Sequence, residues 1–349
     1  MSDVRLNPRA AGRLGVLAML VLPVLGLPGL VGCKSGGPWR DRGSSEEPRE
    51  AEPVVGIEAA EAISRAEMLR TDGQLEAALI EFERAIEVNP RLTVAYLGAG
   101  DIYRQQGNYP EAEKRYATAA EVEPRNFDAQ YYHGLTLQLM NRVSEAVRAY
   151  LRALSIRPED FEANLNLATA YLQLQEAGQA LPYAQRAVRL NPSSGPARVN
   201  LGSVYAALGR HAEAVTEYLQ AAEQMDLSSE LLLNLADSYG KIERYQEMLA
   251  TLEQLVARSP SAIGYERLGF AKFRVKSYDE ALRAFQQALA LDSNHYPALN
   301  GVGVCMLNRY LWSERSDRGA LDEAMRVLKR SLQLQPDQPR IVELVTRYG

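Results

Sequence analysis

RLTVAYLGAGDIYRQQGNYPEAEKRYATAAEVEP (residues 91–124), RNFDAQYYHGLTLQLMNRVSEAVRAYLRALSIRP (125–158) and EDFEANLNLATAYLQLQEAGQALPYAQRAVRLNP (159–192) are one pattern written three times. Pro90, Pro124, Pro158 and Pro192 stand 34 residues apart, Pro260 follows at twice that interval, and Pro336 comes later still. Eight residues before the proline lies an aromatic (Phe82, Tyr116, Tyr150), and twelve before it a small residue (Ala78, Ala112, Ala146, Ala180). Self-similarity at such a period means one structural unit copied along a solenoid, each copy burying its apolar face only against its neighbours.

Each unit holds two apolar-periodic segments of helical length, divided by polar or glycine turns such as Asp72-Gly73 and Gln106-Gly107-Asn108. Acidic residues (Glu76, Glu111, Glu145, Glu213, Glu280, Glu323) are expected to open the second helices, at the positive end of the helix dipole. That is a folding signal and not a catalytic one. The second unit shows Tyr96, Gly100, Tyr103, Gly107, Ala112, Tyr116, Ala119 and Pro124; the fifth shows Leu201-Gly202, Tyr205, Gly209, Ala214, Tyr218 and Ala221. These residues resemble the tetratricopeptide repeat (TPR) family. The resemblance implies an all-α, right-handed superhelical solenoid of about eight helix-turn-helix units over residues 57–336. In that family the small residues let paired helices approach, and the aromatics fill the gap to the next pair.

Several places depart from the pattern. Pro182 falls within the fourth unit's second helix, where a proline is tolerated in the first turn. The fifth unit closes with Met225-Asp226-Leu227-Ser228 and no proline, and the sixth has Met248 and Leu252 in place of Ala and an aromatic. The eighth carries about nine extra residues between its helices, in the region Asn308–Gly319. Ile341, Val342, Leu344 and Val345 give residues 337–349 the stripe of a capping helix.

The amino-terminal end reads differently. Leu14 to Leu30 is almost wholly apolar, follows Arg5, Arg9 and Arg13, and is interrupted by Pro23 and Pro28. It is shorter than the roughly 20 apolar residues of a spanning helix and has the layout of an export signal, residues 1–32. Leu30-Val31-Gly32-Cys33 resembles the lipobox of bacterial lipoproteins, which implies cleavage before Cys33 and lipid on its thiol. Several acyl chains, at about 0.8 kcal/mol per buried CH₂, make a stable anchor. Lys34 follows, where Asp marks inner-membrane retention in enterobacterial lipoproteins, so the resemblance points to the outer membrane facing the periplasm. Residues 33–56, rich in Gly, Ser, Pro and charge, are expected to be a flexible linker.

Composition narrows the function. With 46% hydrophobic and 24% charged residues the chain is neither a polytopic membrane protein nor collagen-like nor wholly disordered. Without residues 1–32 it carries 36 basic against 43 acidic residues, a net charge of −7, and no Lys/Arg cluster suited to nucleic acid. Two cysteines (Cys33, Cys305) and three separated histidines (His133, His211, His295) give no metal-ligand set. Cys305 and His133 read as core or half-buried residues. Phosphate loops, nucleophile elbows and zinc helices are absent from the sequence, so no cofactor and no catalytic residue is expected.

Candidate binding residues are exposed polar groups on the array. Asn166, Asn200 and Asn234 recur at 34 residues, two before the small position, hence on a face turned from the core. They resemble the asparagine ladder of the O-linked N-acetylglucosamine transferase repeats, which implies binding of extended peptide backbone in the concave groove. Asparagine here is also common in TPR units generally. Arg267 takes the equivalent place in the seventh unit, where it either holds a carboxylate or is solvated. Tyr131, Leu165, Val199 and Leu233 are either an apolar groove floor or ordinary packing. Lysines of the carboxylate clamp in chaperone-binding TPR domains are missing beside these asparagines. In the insertion, Tyr310, Trp312 and Arg315 have the composition of an interface hot spot; alternatively both helices are a turn longer and Trp312 packs locally. Together these features suggest a membrane-anchored adaptor for envelope proteins or extended peptides. The resemblance leaves two alternatives: a non-catalytic accessory subunit of a peptidoglycan or glycan enzyme, or a pilotin-like assembly factor for a type IV pilus secretin.

Overall fold

The computed structural model describes residues 52–349, with side chains from Gly56 onward. The export signal 1–32, the lipidation site Cys33 and the linker as far as residue 51 lie outside the described residues. The described residues hold seventeen helices and no strand. Eight antiparallel pairs follow one another: α1 (Glu52–Thr71) with α2 (Leu75–Val88), α3 (Thr93–Gln105) with α4 (Tyr109–Val122), α5 (Phe127–Leu139) with α6 (Val143–Ile156), and α7 (Phe161–Gln173) with α8 (Ala177–Leu190). The series continues with α9 (Gly195–Ala207) and α10 (His211–Ala222), α11 (Ser229–Lys241) and α12 (Tyr245–Arg258), α13 (Ala262–Arg274) and α14 (Tyr278–Leu291), then α15 (Tyr296–Trp312) and α16 (Arg318–Leu334). α17 (Pro339–Tyr348) closes the stack against α16, with Ile341 buried, as the carboxy-terminal stripe predicts. No helix among the described residues is long and apolar enough to cross a membrane.

Local chemistry sets the helix ends. The side chains of Asn126, Asp160, Ser194, Ser228 and Ser261 each accept a hydrogen bond from the backbone N–H three residues on, opening α5, α7, α9, α11 and α13. Within seven of the pairs a single left-handed residue turns the chain: Gly73, Gly107 and Gly209, but also Asn141, Gln175, Glu243 and Lys276. Glycine takes that conformation freely and the others do not, so the turn is set by the pairs it joins as much as by its own residue.

In the core, small residues meet rings. A Cβ on Gly100 would stand 2.8 Å from the Tyr116 ring, one on Gly134 2.8 Å from Tyr150, and one on Gly202 2.6 Å from Tyr218. In these three units the aromatic packs on the small residue of its own unit, whereas Phe82 of the first meets Gly98 of the next. Phe285 touches both Gly269 of its own unit and Gly301 of the next, so a ring seals the pair and the junction together. In the sixth unit Met248 and Leu252 are buried at 2% and 0% exposure and fill the same space without a ring.

Three expectations are corrected and one alternative is decided. The array begins at Glu52, so the linker ends earlier than residue 56. Pro182 is the sixth residue of α8, in its second turn; it is exposed, so the carbonyl left without an N–H partner can be solvated. The eighth unit's extra chain is mostly helix, as the alternative of longer helices has it: α15 and α16 are each 17 residues long, against 13 and 14 in the seventh, and the connection between them grows only from three residues to five. Glu323 consequently lies beyond the first turn of α16, which has no acidic residue there; Glu76, Glu111, Glu145, Glu213 and Glu280 do open their helices.

Candidate functional site: the inner layer of first helices

Successive first helices touch one another, α3 on α5, α5 on α7, α7 on α9, α9 on α11 and α13 on α15, and so form the inner layer of the stack. Asn166, Asn200, Asn234 and Arg267 are the sixth residues of α7, α9, α11 and α13, in one register along it. Their environments differ from the exposed row that the spacing suggests. Asn166 is half-buried and its Nδ2 donates to the Tyr131 hydroxyl, 3.0 Å away in the preceding first helix. Asn200 is 9% exposed and its Nδ2 donates to Thr169 Oγ1 at 2.9 Å, also one unit back. Asn234 is half-buried and has no side-chain hydrogen bond among the described residues.

The orientation of Asn200 follows from its partner. The Thr169 hydroxyl already donates to the Leu165 carbonyl at 2.9 Å, so the amide can only donate to it. This leaves Asn200 Oδ1 buried without a partner, an acceptor whose desolvation nothing in the chain offsets. Two of the three amides, Asn166 and Asn200, thus tie adjacent units together with their N–H₂ groups.

Arg267 does hold a carboxylate, but from its own chain: Asp237 at 3.7 Å and Glu266 at 3.5 Å. Burial pushes the Glu266 carboxyl up, with Arg267 opposing and Asp237 adding to the rise. Tyr131, Leu165, Val199 and Leu233 are all half-buried, and Tyr131 stacks on Phe127 and packs on Tyr132. Burial, with the charges of Glu162 and Asp160, raises the Tyr131 hydroxyl to about 12.

Acidic residues on the first helices also fall into register, a signal that the 34-residue spacing carries. Asp128, Glu162 and Glu230 are second residues of α5, α7 and α11, and Asp101 and Asp237 are ninth residues of α3 and α11. Asp101 sits 3.6 Å from Arg70 and 3.5 Å from Arg104 and accepts from the Tyr116 hydroxyl at 2.7 Å. Glu162 and Glu230 are exposed and have no ion-pair partner among the described residues. Counting amide oxygens and carboxylates, this surface offers acceptors and negative charge.

The three candidates of the eighth unit part company. Trp312 is 65% exposed and meets Tyr278 edge-on, 4.6 Å between centroids, beside a cleft of about 860 Å³ floored by Leu282, Cys305 and Met306. Tyr310 is 5% exposed and is a packing residue, and Arg315 faces a different cavity. Cys305 is buried, and its thiol is pushed up to about 12 by burial and by Asp279. His133 is half-buried with Nε2 3.4 Å from Glu113; burial lowers it below its ordinary value.

Family models described as tetratricopeptide repeats match residues 97–161, 133–194, 165–229, 230–262 and 262–295. No curated protein matches the chain. Among solved structures, it is similar to a tetratricopeptide repeat protein from Parabacteroides merdae, at 21% identity over 72% of this chain and 100% of that one, with a TM-score of 0.50. It is also similar to a chain of the APC/C hetero-tetramer Cut9–Hcn1, at 19% identity over 86% of this chain and 58% of that one, TM-score 0.52. YrrB, described as a TPR protein with an unusual peptide-binding site, aligns at 22% identity over 57% of this chain and 98% of its own, TM-score 0.47. Such similarity speaks to fold, and with the repeat matches running from 97 to 295 and the helix pairs observed, the chain belongs to the tetratricopeptide repeat family.

Proposed function

We infer that this TPR scaffold docks an extended segment of a partner protein along its inner layer, and that it does so while tethered to a bacterial envelope membrane through lipid on Cys33. The observation that supports the docking reading is the shared register of Asn166, Asn200 and Asn234 on successive first helices, with the Asn166 and Asn234 side chains partly exposed. An amide oxygen without a donor suits a peptide N–H, read without regard to side chain. Exposed Glu162 and Glu230 nearby favour a segment carrying Lys or Arg, through charge complementarity that steers the encounter. Asn166 and Asn234 would extend the row, and the exposed Trp312 is a second contact at the carboxy-terminal end. The tether rests on Leu30-Val31-Gly32-Cys33 and the apolar stretch before it, with the outer membrane, facing the periplasm, as its destination.

The test is cross-linked capture from an envelope extract using the full chain, run beside a form carrying Asn166→Ala, Asn200→Ala and Asn234→Ala. A partner captured by the wild type and lost from the triple variant supports recognition by the amide row; equal capture by both refutes it. Cys33→Ser should move the protein from the membrane fraction to the soluble fraction, and retention at the membrane would refute the lipid anchor. A partner enzyme whose turnover changes on addition of the chain would make it an accessory subunit rather than a docking platform.

A further inference from the structure

Beyond the inner layer, the eighth unit and the cap form an open cavity of about 470 Å³ lined by Tyr310, Arg315, Arg318, Leu321, Arg347 and Tyr348. Three guanidinium groups converge there and no carboxylate lines it, in a chain whose net charge is −5. Asp317, next in sequence to Arg318, is turned away: one oxygen accepts from the Ala320 N–H at 3.0 Å and the other pairs with Arg309 at 3.0 Å. Like charges brought together without a counter-charge repel one another, and the arrangement is relieved when an anion enters.

Two further features of the backbone act in the same direction. Arg318 is the first residue of α16, where the helix dipole disfavours a cation; the Asp317 carboxylate caps that end and leaves the three guanidinium groups without a counter-charge of their own. The α15–α16 connection is also the one within a pair that places two successive residues in the left-handed region, Glu314 at φ 52° and Arg315 at φ 66°. Neither is glycine, and each such residue costs of order 1–2 kcal/mol. The connection is held by the Arg315 N–H donating to the Tyr310 carbonyl at 3.0 Å, which brings the Arg315 side chain to the cavity rim.

We propose that this cavity binds a phosphate monoester carrying a small organic group, with Arg315, Arg318 and Arg347 holding the phosphate. A monoester carries about −1.5 to −2 charge near neutral pH and three strong acceptor oxygens, which three guanidinium forks match and a single carboxylate does not. The volume exceeds that of a phosphate alone, and the half-buried Leu321 and Tyr348 give the attached group a small apolar contact beside a mostly polar lining. Free esters and lipid headgroups share this chemistry.

The probes are inorganic phosphate and glycerol 3-phosphate by calorimetric titration, and vesicles of phosphatidylcholine with or without phosphatidic acid by co-sedimentation. The full chain is used with Cys33→Ser, so that lipid on Cys33 does not itself bind the vesicles. Saturable binding of glycerol 3-phosphate is expected, tighter than that of inorganic phosphate. Each Arg→Gln change (Arg315→Gln, Arg318→Gln, Arg347→Gln) should weaken it by about tenfold, the effect of one charge-assisted hydrogen bond, while Arg283→Gln on the Trp312 cleft leaves it unchanged. These arginines are exposed, so the variants should fold, and circular dichroism checks that they do. Response to the soluble ester identifies a free ligand, and response to phosphatidic acid vesicles alone identifies a headgroup. No binding of either kind up to about 10 mM, or equal binding by the triple Gln variant, overturns the proposal.

Discussion

Gly134→Ala puts the packing logic of the array to a test in which the sign of the effect decides. On an isolated helix the change is favourable by about 1 kcal/mol, because alanine restricts the unfolded chain more than glycine does. In α5 the new methyl would stand 2.8 Å from the Tyr150 ring, which must retreat by about 0.6 Å to reach ordinary contact near 3.4 Å. That ring has 0% exposure, and its hydroxyl donates to Gln138 at 2.9 Å, so it has little room to move. Overpacking of this kind costs about 1–3 kcal/mol, leaving a net loss of about 1 kcal/mol. Gly178→Ala in α8 is the control, since its new Cβ meets nothing within 4 Å and the helix-propensity gain stands alone. Urea unfolding of the full chain, followed by helical circular dichroism, should move to lower midpoint in the first variant and not in the second. In Gly134→Ala, native-state hydrogen exchange should show protection falling in α5 and α6 more than in α13 and α14, because each unit is stabilised by its neighbours alone. Stabilisation by both substitutions alike would refute the claim that the ring and the small residue fix the pairing distance.

Pro182→Ala should raise the unfolding midpoint, by up to about 3 kcal/mol in stability, because it restores a hydrogen bond inside α8 at an exposed position; an unchanged midpoint would show that the helix has already accommodated the ring. Cys305 should react with a maleimide at pH 8 only after denaturation, since its buried thiol is raised to about 12; rapid labelling of the folded chain would contradict that burial. His133 is held neutral by burial, with its value below 6.5 in the folded chain. Its contribution to stability is therefore full above about 6.5 and is lost as pH falls toward the folded value, where the unfolded chain takes up the proton first. Comparing wild type with His133→Gln at pH 7 and pH 5 should show a smaller loss on acidification in the variant; equal losses would remove His133 from the acid response.

Most of the architecture could be read from the 34-residue spacing, because a solenoid repeats its contacts with its sequence. Pro90, Pro124, Pro158 and Pro192 each sit in a connection between pairs, and the ring and the small residue meet as their register implies. The site was legible only in its register. Whether an amide at the sixth position is exposed depends on the residue one unit back. Thr169, 31 residues earlier, captures Asn200, and Tyr131, 35 residues earlier, captures Asn166, and single-helix phase carries neither contact. The eighth unit leaves two readings open in the sequence, an inserted segment or longer helices, for a related reason. Extra chain between two helices can become loop or helix, and no glycine or proline within 308–318 forces a loop, so both helices lengthened. The arginine cavity requires α17 to fold back beside the α15–α16 connection, a meeting that local pattern does not encode.

The connection between α10 and α11 has a mechanical consequence. Residues 223–228 form a six-residue link, where the links between other pairs have three or four, and it contains no proline. Its extra length is taken up by packing: Met225 lies against Gly195, and Leu227 against the core shared by α10, α11 and α12. A load along the array is therefore passed across this junction by side chains, as it is across the others.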